Sequence, residues 1–357
     1  MRAVRQDRCP GAPGRRGPAG YAIGARFGKI EVMSAIPDAP AAVDLDSVQS
    51  VARAIQDAIT TVIEGKDDVV STAVTVLLAE GHLLVEDVPG VGKTMLAKAL
   101  ARAIDCRVSR VQFTPDLLPS DITGVSVFNQ ETRDFEFRRG AVFANVVVGD
   151  EINRASPKTQ SALLEAMEER QVTVDGTTYE LPRPFLVMAT QNPIEMEGTY
   201  PLPEAQRDRF MARLSMGYPS VSSEMAMLAS HGAVNPLDSL TPVAHAEDVQ
   251  RVIESIRHLH TADVLRQYVV DVVGASRTHR LLRLGASPRA GLQLLRAARA
   301  HAALSGRDHV LPEDVQTMAV PVLAHRVLPS GEASLARHDP ADLVRDLIGR
   351  TPVPAGR

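Results

Sequence analysis

The apolar residues of this chain recur with two different periods. From about residue 46 onward they follow helical spacing, first over 51–62 and then over 67–79. Short, continuously apolar runs follow at 83–85, 146–148 and 185–189. Runs of this kind between helical segments are typical of strands buried on both faces. We therefore predict an α/β fold with a parallel sheet covered by helices on both sides.

Further elements are predicted between these runs. The pattern predicts a helix over 94–104, a strand over 107–112, and a helix that begins at Ser156, an N-cap residue followed by proline. Two hairpins are expected, at 125–137 and at 171–181. The second carries Asp-Gly at its middle, the dipeptide that a tight turn favours.

The last third of the chain has a different character. From residue 247 it is nearly all helical, with predicted helices over 281–305, broken by Gly285, and over 312–328, while proline and glycine after 330 indicate fraying. We therefore divide the chain into a basic tail (1–45), an α/β body (46–220), a linker (221–246), a helical domain (247–333) and a C-terminal tail (334–357).

Charge and composition exclude several classes of protein. The net charge is -4, but residues 1–31 carry seven basic and two acidic groups, so the remainder carries -9, and an acidic body is a poor DNA binder. Aromatic residues are only 4%, which argues against stacking on single-stranded nucleic acid, and two cysteines are too few for a disulfide framework. No apolar run suits a membrane helix or a secretory signal, so we expect a cytoplasmic protein. The tail is predicted to be disordered, or to precede a true start at Met33, with a transit peptide as the alternative.

Residues 87–94 read DVPGVGKT and stand between a predicted strand and an amphipathic helix, the setting that a phosphate-binding loop requires. Glycines let backbone N–H groups close around a phosphate, and the helix N-terminus adds partial positive charge. Lys93 is then expected to reach the β- and γ-phosphates, and the Thr94 hydroxyl to bind Mg²⁺. Asp87 stands where the strict motif has glycine, so a glycine-rich turn without nucleotide is the alternative. The residues predicted to bind nucleotide are Val88, Pro89, Gly90, Val91, Gly92, Lys93, Thr94, Met95 and Asp150.

Two acidic residues end the apolar strand 146–148. Asp150 and Glu151 would stand at the carboxyl edge of the sheet, where ligands of α/β proteins bind. We expect Asp150 to hold the Mg²⁺ water shell and Glu151 to polarise the attacking water. An acidic loop that only terminates the strand is the alternative.

The third buried strand ends in a polar amide. Asn192 follows the apolar run 185–189 and is expected at the same edge, where it could align the lytic water or bind the γ-phosphate. A turn residue before Pro193 is the alternative.

With these motifs in order, the chain resembles the MoxR family of AAA+ ATPases over about residues 48–330. The matching stretches are GHLLVEDVPGVGKT (81–94), GDEINRASPKTQSALLEAM (149–167), TQNPIEMEGTYPLPEAQRDRF (190–210), SPRAGLQLLRAAR (287–299) and GRDHVLPEDVQTMAVPVLAHR (306–326). The resemblance implies a P-loop AAA+ αβα sandwich with a parallel sheet, followed by an all-helical lid domain. It also implies ring assembly, usually as a hexamer, with ATP between subunits and Mg²⁺ bound with it.

Two arginines receive roles from the resemblance. Arg209 matches the arginine finger that acts on a neighbour's ATP, with Arg207 as a competing candidate and a surface ion pair as the alternative for either. Arg289 matches sensor 2, where it would touch the γ-phosphate from the same subunit; a solvated helix arginine is the alternative.

The resemblance also suggests positions for three further residues and for the two hairpins. Asn153 and Arg154 would lie at the subunit boundary, and Gly65 in a segment over the adenine. The hairpins at 125–137 and 171–181 resemble the helix-2 insert and the pre-sensor-1 hairpin of this family and could contact a client, or could be structural decoration.

The family reading predicts a Mg²⁺-dependent ATPase, with Lys93, Glu151, Asn192, Arg209 and Arg289 as catalytic residues, that remodels, assembles or activates a partner protein. The resemblance suggests chaperone-like work, including metal-cofactor insertion, with a von Willebrand factor A domain protein as adaptor. Two rival hypotheses are a chelatase- or DNA-acting motor and a nucleotide-gated binding switch with little turnover. Nucleic acid and membrane insertion are not expected.

Overall fold

A computed structural model of the chain describes residues 44–88, 90–192, 199–222, 224–225 and 236–354. The predicted basic tail lies outside these residues except for its last two positions. Within the described ranges, no helix combines the length and the apolar character needed to cross a membrane.

The α/β body is built on a parallel five-stranded sheet with the strand order β2-β5-β8-β1-β9. In chain order the strands are β1 (Leu83–Glu86), β2 (Val108–Gln112), β3 (Gly124–Asn129), β4 (Asp134–Arg139), β5 (Val146–Asp150), β6 (Gln171–Val174), β7 (Thr177–Glu180), β8 (Leu186–Gln191) and β9 (Ala212–Leu214). Because all five strands of the sheet are parallel, their last residues meet at one edge, here called the carboxyl edge, and their first residues at the amino edge. The predicted fold class is confirmed.

Helices of the body pack on both faces of this sheet. They are α1 (Leu45–Thr60), α2 (Asp67–Leu78), α3 (Lys93–Ala103), α4 (Pro119–Thr123), α5 (Pro157–Glu169) and α6 (Glu204–Arg207). The predicted cap is present at α5, where the Ser156 hydroxyl accepts the N–H of Thr159. Adjacent strand residues point to opposite faces, so Leu83 and Val85 join one buried cluster while Leu84 joins the other.

Both predicted hairpins are antiparallel pairs, β3 with β4 and β6 with β7. In the second, Asp175 and Gly176 both have positive φ, as a tight turn of this type requires. In the first, Phe128 and Phe135 lie opposite each other and remain 50% and 68% exposed.

The C-terminal region is helical and shares a hydrophobic cluster with α1, α2 and α3. Its elements are α7 (Pro236–Ser239), α8 (Ala246–Arg257), α9 (Asp263–Thr278), β10 (Leu282–Leu284), α10 (Pro288–Leu304), α11 (Pro312–Leu323), β11 (Leu328–Pro329), α12 (Gly331–Leu335) and α13 (Pro340–Arg350). The predicted linker is packed in part, since Leu237 and Leu240 are buried and the Val243 N–H donates to the Ala103 carbonyl, whereas Val221 and Met225 are exposed.

Two expectations for this region were wrong. The predicted helix 281–305 begins only at Pro288, because residues 282–284 pair with β11, and Gly285 allows close approach to the backbone of Arg277, 2.6 Å from where a Cβ would stand. The predicted fraying tail contains α13, which buries Leu343, Val344 and Leu347. Its start at Asp339-Pro340 is an N-cap signal that we overlooked in a stretch rich in proline.

Candidate active site

The phosphate-binding loop connects β1 to α3 at the carboxyl edge. Gly90 and Gly92 have φ of 85° and 93°, and Gly92 is the N-cap of α3. A Cβ at Gly90 would meet nothing within 4 Å, so the backbone conformation, and not space, favours glycine there. The first turn of α3 carries Lys93 and Thr94, and its N–H groups can bind an anion. Pro89 lies outside the described residues.

Asp87 accounts for the departure from the strict phosphate-loop motif. Its carboxylate accepts hydrogen bonds from the N–H of Val88 at 2.8 Å, the hydroxyl of Ser215 at 3.0 Å and the N–H of Gly217 at 2.6 Å. Burial alone would raise the pKa of Asp87, but these hydrogen bonds lower it below its usual value. Asp87 therefore joins the phosphate loop to the segment that follows β9.

Lys93 lies among the acidic groups of this edge. Its Nζ donates to the Asp87 carbonyl at 2.7 Å. Burial lowers the pKa of Lys93, while the negative charges of Asp87, Asp150 and Glu151 oppose that shift. The predicted lysine and the predicted acidic pair are thus brought together.

The two acidic residues at the end of β5 have different environments. Asp150 is buried, and its carboxylate accepts from Arg110 Nε at 2.6 Å and from the Thr190 hydroxyl at 3.3 Å. Glu151 has a positive φ of 57°, in the left-handed region, directly after the strand ends. Its carboxylate accepts from Gln112 Nε2 at 2.8 Å, and its N–H donates to the Thr190 hydroxyl at 3.0 Å.

Three residues of this network were missed by the sequence reasoning: Arg110, Gln112 and Thr190. For Gln112 a sequence signal for its position was available, because it ends the predicted strand 107–112 and polar residues at strand ends collect at this edge. Its partner became visible only in the structure, where it lies beside Asp150 in the parallel register. Thr190 lies two residues before Asn192 in the same motif, but no role was predicted for it.

The remaining predicted residues of this edge also lie near it. Asn192 is buried directly after β8, whose Gln191 carbonyl accepts the N–H of Asp87 at 3.2 Å. Asn153 is buried, and Arg154 Nε lies 3.0 Å from the Glu151 carboxylate. Residues 193–198, which follow Asn192, lie outside the described part of the chain.

Thr94 and Asp150 offer hydroxyl and carboxylate oxygens, the donors that Mg²⁺ prefers when it also binds substrate phosphates and water. This donor set fits Mg²⁺. No group of three or more His, Cys, Asp or Glu that could hold a metal occurs among the described residues.

A cavity of about 240 Å³ adjoins the phosphate loop. Its lining includes Val62, Ile63, Glu64, Lys66, Val91, Met95, Met216 and Gly217. The apolar members could cover a flat heterocycle, and Lys66 fixes one wall by donating to the Tyr218 carbonyl at 2.8 Å. Gly65, whose predicted position is over the adenine, lies between the lining residues Glu64 and Lys66.

The two predicted arginines lie together at the amino edge. Arg209 lies shortly before β9. Met211, the residue directly before β9, donates its N–H to the carbonyl of His82, the residue directly before β1. Arg209 Nη2 lies 3.1 Å from the Glu168 carboxylate, and Arg289 pairs with the other oxygen of the same carboxylate.

This position corrects the contact predicted for Arg289. We expected Arg289 to touch the γ-phosphate of its own subunit, which would lie at the carboxyl edge. Arg289 lies at the amino edge instead, and β1, which runs from one edge to the other, is about 13 Å long. The physical reason is the placement of α10, whose N-cap Ser287 bonds to Asp208 at the amino edge.

Arg207 points into a different environment from Arg209. It lies near buried His325, whose pKa is lowered first by burial, then by Arg326, with a smaller effect of Arg207. Its Nε is buried without a hydrogen-bond partner among the described residues. Both arginines are half-buried, but only Arg209 lies beside Arg289 on the Glu168 carboxylate.

Other groups near the arginine pair do not cancel its positive charge. Glu80 pairs with Arg170, Arg257 and Arg296. Buried His82 is neutral, since burial lowers its pKa to about 4. Arg209 and Arg289 therefore share the single negative charge of Glu168 and leave a positive excess at this face.

The chain is similar to known proteins over most of its length. Residues 82–212 match the profile of the ATPase family associated with various cellular activities (AAA), and residues 274–347 match that of the AAA lid domain. Uncharacterized protein YeaC of Bacillus subtilis is 49% identical over 83% of this chain and 92% of its own length. Chaperone MoxR1 of Mycobacterium tuberculosis is 41% identical, over 82% and 80%. Protein MoxR of Methylorubrum extorquens is 32% identical, over 81% and 91%.

Among solved structures, one from Cytophaga hutchinsonii, described as a candidate ATPase, superposes with a TM-score of 0.81. It is 35% identical and covers 87% of this chain and 98% of its own.

Proposed function

Because this chain belongs to the MoxR family of AAA+ ATPases, we propose that it hydrolyses ATP to ADP and phosphate and uses the cycle to remodel, assemble or activate a partner protein. One observation carries the proposal. The phosphate loop and the acidic pair lie at the carboxyl edge, whereas two arginines with a positive excess lie at the amino edge. A complete site therefore needs two copies of the chain.

The first copy binds the nucleotide. Backbone N–H groups of the loop and the first turn of α3 bind the β-phosphate, and Lys93 neutralises the β- and γ-phosphates. Thr94 and Asp150 would hold Mg²⁺, which when bound offsets phosphate charge. The cavity beside Met95 and Met216 receives the adenine.

The same copy supplies the water-activating group. Glu151 acts as the general base, and the bonds from Gln112 and Arg154 hold its carboxylate in place before substrate enters. Asn192 aligns the water from the end of β8. These roles require the residues to reach the γ-phosphate from one edge, which the parallel order of β5, β8 and β1 supports.

The second copy supplies the arginines. Arg209 and Arg289 leave Glu168 and bind the γ-phosphate of the neighbour, where charge grows during phosphoryl transfer. Proteins with this ATPase fold generally oligomerise, and we propose a homo-oligomeric ring, with six subunits as the expected number.

The last part of the proposal concerns the proteins on which the ring acts. The name of the mycobacterial relative supports a chaperone role. The exposed aromatic pair Phe128 and Phe135 on the β3–β4 hairpin is the expected client contact. A von Willebrand factor A domain adaptor, metal-cofactor insertion and a cytoplasmic location are proposed on the family resemblance alone.

Mixing two inactive variants tests the divided site. Glu151→Gln subunits keep their arginines but lack the base, and Arg209→Ala subunits keep the base but lack the arginine. We expect each variant alone to bind nucleotide with little turnover, and mixtures of the two to recover ATPase activity. If no ratio of the two recovers activity, the two-copy site is refuted.

A further inference from the structure

One carboxylate lies at the junction of the body and the lid. Asp208 follows α6 and immediately precedes Arg209. Its oxygens accept the hydroxyl of Ser287 at 3.0 and 2.9 Å and Nε of Arg326 at 2.8 Å. Both donors belong to the helical lid, so a single side chain of the body is held by two separate lid segments.

The Ser287 contact connects Asp208 to Arg289. Ser287 is the N-cap of α10, and while its hydroxyl donates to Asp208 its oxygen accepts the N–H of Ala290 at 3.1 Å. Arg289 lies in the turn that this cap fixes. The direction in which the Arg289 side chain projects from the lid therefore depends on the position in which Asp208 holds Ser287.

The Arg326 contact connects the lid to Arg209. Besides the Asp208 carboxylate, the guanidinium donates to the carbonyls of Asp208 and Met211 at 3.0 Å and also to that of Phe210. These carbonyls flank Arg209 on both sides, and the Arg326 side chain is only 2% exposed. Burial lowers the pKa of Arg326 to about 10 and Asp208 opposes that shift, so the group stays charged at neutral pH.

The far ends of the two arginines also meet. Arg209 and Arg289 bind different oxygens of the Glu168 carboxylate, and Arg209 Nη1 donates to the Leu164 carbonyl at 2.7 Å. The two side chains thus start from one junction and converge on one acceptor, with a spacing that matches two oxygens of one anion.

We propose that Asp208 is a positioning residue that fixes Arg209 and Arg289 as one unit, through Arg326 and Ser287, for presentation to the nucleotide of the neighbouring subunit. This inference rests on the proposed function, because it assigns a role to the same arginine pair. Asp208 itself touches no nucleotide. Its effect is on the geometry of two groups that do, and small displacements of such groups can cost roughly 100-fold in rate.

A similar buried pair elsewhere in the lid provides a control. Asp314 is fully buried and binds Arg307 and His301, but its partners do not lead to either arginine of the pair. Asp208→Asn and Asp314→Asn both remove one negative charge from a bonded network, at a partly buried and at a fully buried position, respectively. A loss due only to weaker folding should appear in both variants.

The test compares kcat, nucleotide affinity and rescue in mixed assemblies of the full chain. We expect Asp208→Asn to lower kcat roughly 10- to 100-fold while affinity for a fluorescent ADP analogue changes less than about twofold. Adding Glu151→Gln subunits, which carry an intact arginine pair, should restore activity to the Asp208→Asn sites. Asp314→Asn should gain nothing from the same mixing.

Ser287 provides a second variant should Asp208→Asn fail to fold. Both Asn and Asp can cap α10, but only Ser287→Asp places a negative charge against Asp208. We expect Ser287→Asp to lose more activity than Ser287→Asn and to be rescued by Glu151→Gln subunits.

The outcomes separate this inference from the proposed function. Normal kcat in Asp208→Asn would overturn the positioning role. So would a loss that mixing does not rescue while Arg209→Ala is rescued. If mixing rescues neither variant, the two-copy site itself fails.

Discussion

Replacing Asp87 by asparagine tests whether the phosphate loop is held by the segment after β9. Three donors converge on the carboxylate, from Val88 at 2.8 Å, Gly217 at 2.6 Å and Ser215 at 3.0 Å. Asparagine keeps one acceptor oxygen, but its amide NH₂ group replaces the other carboxylate oxygen and then faces a group that also donates. One charge-assisted bond is therefore lost outright, which costs about 2–3 kcal/mol of the free energy of unfolding.

The same substitution should weaken nucleotide binding. Met216 and Gly217 line the cavity beside the loop, and Asp87 holds both sides of that cavity in register. We expect a loss of affinity for ADP together with the loss of stability, since an ordered pocket becomes partly mobile.

The pH dependence gives a second signature. The pKa of Asp87 is lowered in the folded chain, so its stabilisation is fully present above the usual carboxyl pKa of about 3.9 and disappears as the pH falls through the lower folded value. The difference between wild type and Asp87→Asn should therefore be constant near neutral pH and shrink below about pH 4.

Urea unfolding followed by circular dichroism measures the effect, because the chain has no tryptophan to report by fluorescence. Glu86→Gln is the matched control. Its carboxylate bonds to Arg213 at 3.0 Å in a partly exposed pair, and its loss should cost at most about 1 kcal/mol. Equal stability and equal ADP affinity in Asp87→Asn and wild type would refute the reasoning.

Three other predictions are simpler to test. Lys93→Ala should abolish binding of a fluorescent ATP analogue, because it removes the cation of the loop, and a retained micromolar affinity would contradict the site. Buried His82 has a pKa of about 4 in the folded chain, so as the pH falls the unfolded chain binds a proton at this histidine before the folded chain does. The free energy of unfolding should therefore fall by about 3 kcal/mol between pH 7 and pH 4. His82→Gln should remove most of this slope in urea titrations, and an unchanged slope would assign it to other groups. Phe128→Ser and Phe135→Ser should change stability by less than about 1 kcal/mol yet abolish client capture by a Glu151→Gln background, and undiminished capture would rule out the hairpin contact.

The sequence was sufficient wherever the evidence was local. Continuous apolar runs predicted β1, β5 and β8 because strands buried on both faces have no room for polar residues. The glycines and Lys93 of the phosphate loop follow one another directly, so that their chemistry could be recognised without knowing the fold.

The sequence was insufficient wherever a role depends on distant segments. Asp87 looked like an imperfect glycine position until Gly217, 130 residues later, was found at its carboxylate. Arg289 was expected at its own phosphate, because nothing in the chain states that Ser287 is held at the amino edge by Asp208. Arg110 and Gln112 sit in a strand with weak apolar character, and only the register with β5 reveals their partners.

The position of the lid has a consequence for communication between sites. Met216, Gly217, Pro219 and Pro236 line the cavity beside the phosphate loop. From Pro236 the chain continues through α7 into α8 and the rest of the lid. The lid shares its hydrophobic cluster with α1, α2 and α3, so a shift at the loop and α3 should be transmitted to the lid helices through close packing. At its other side the lid holds Arg289, which under the proposed function serves the neighbour's nucleotide. A nucleotide that shifts the lid of one subunit must therefore move an arginine at the next site, and hydrolysis in adjacent subunits should be coupled. Coupling of this kind is tested by mixing the intact chain with Glu151→Gln subunits, whose arginine pair still completes every intact site. We expect the ATPase activity not to be proportional to the fraction of intact subunits, and strict proportionality at every ratio would show that the lids act independently.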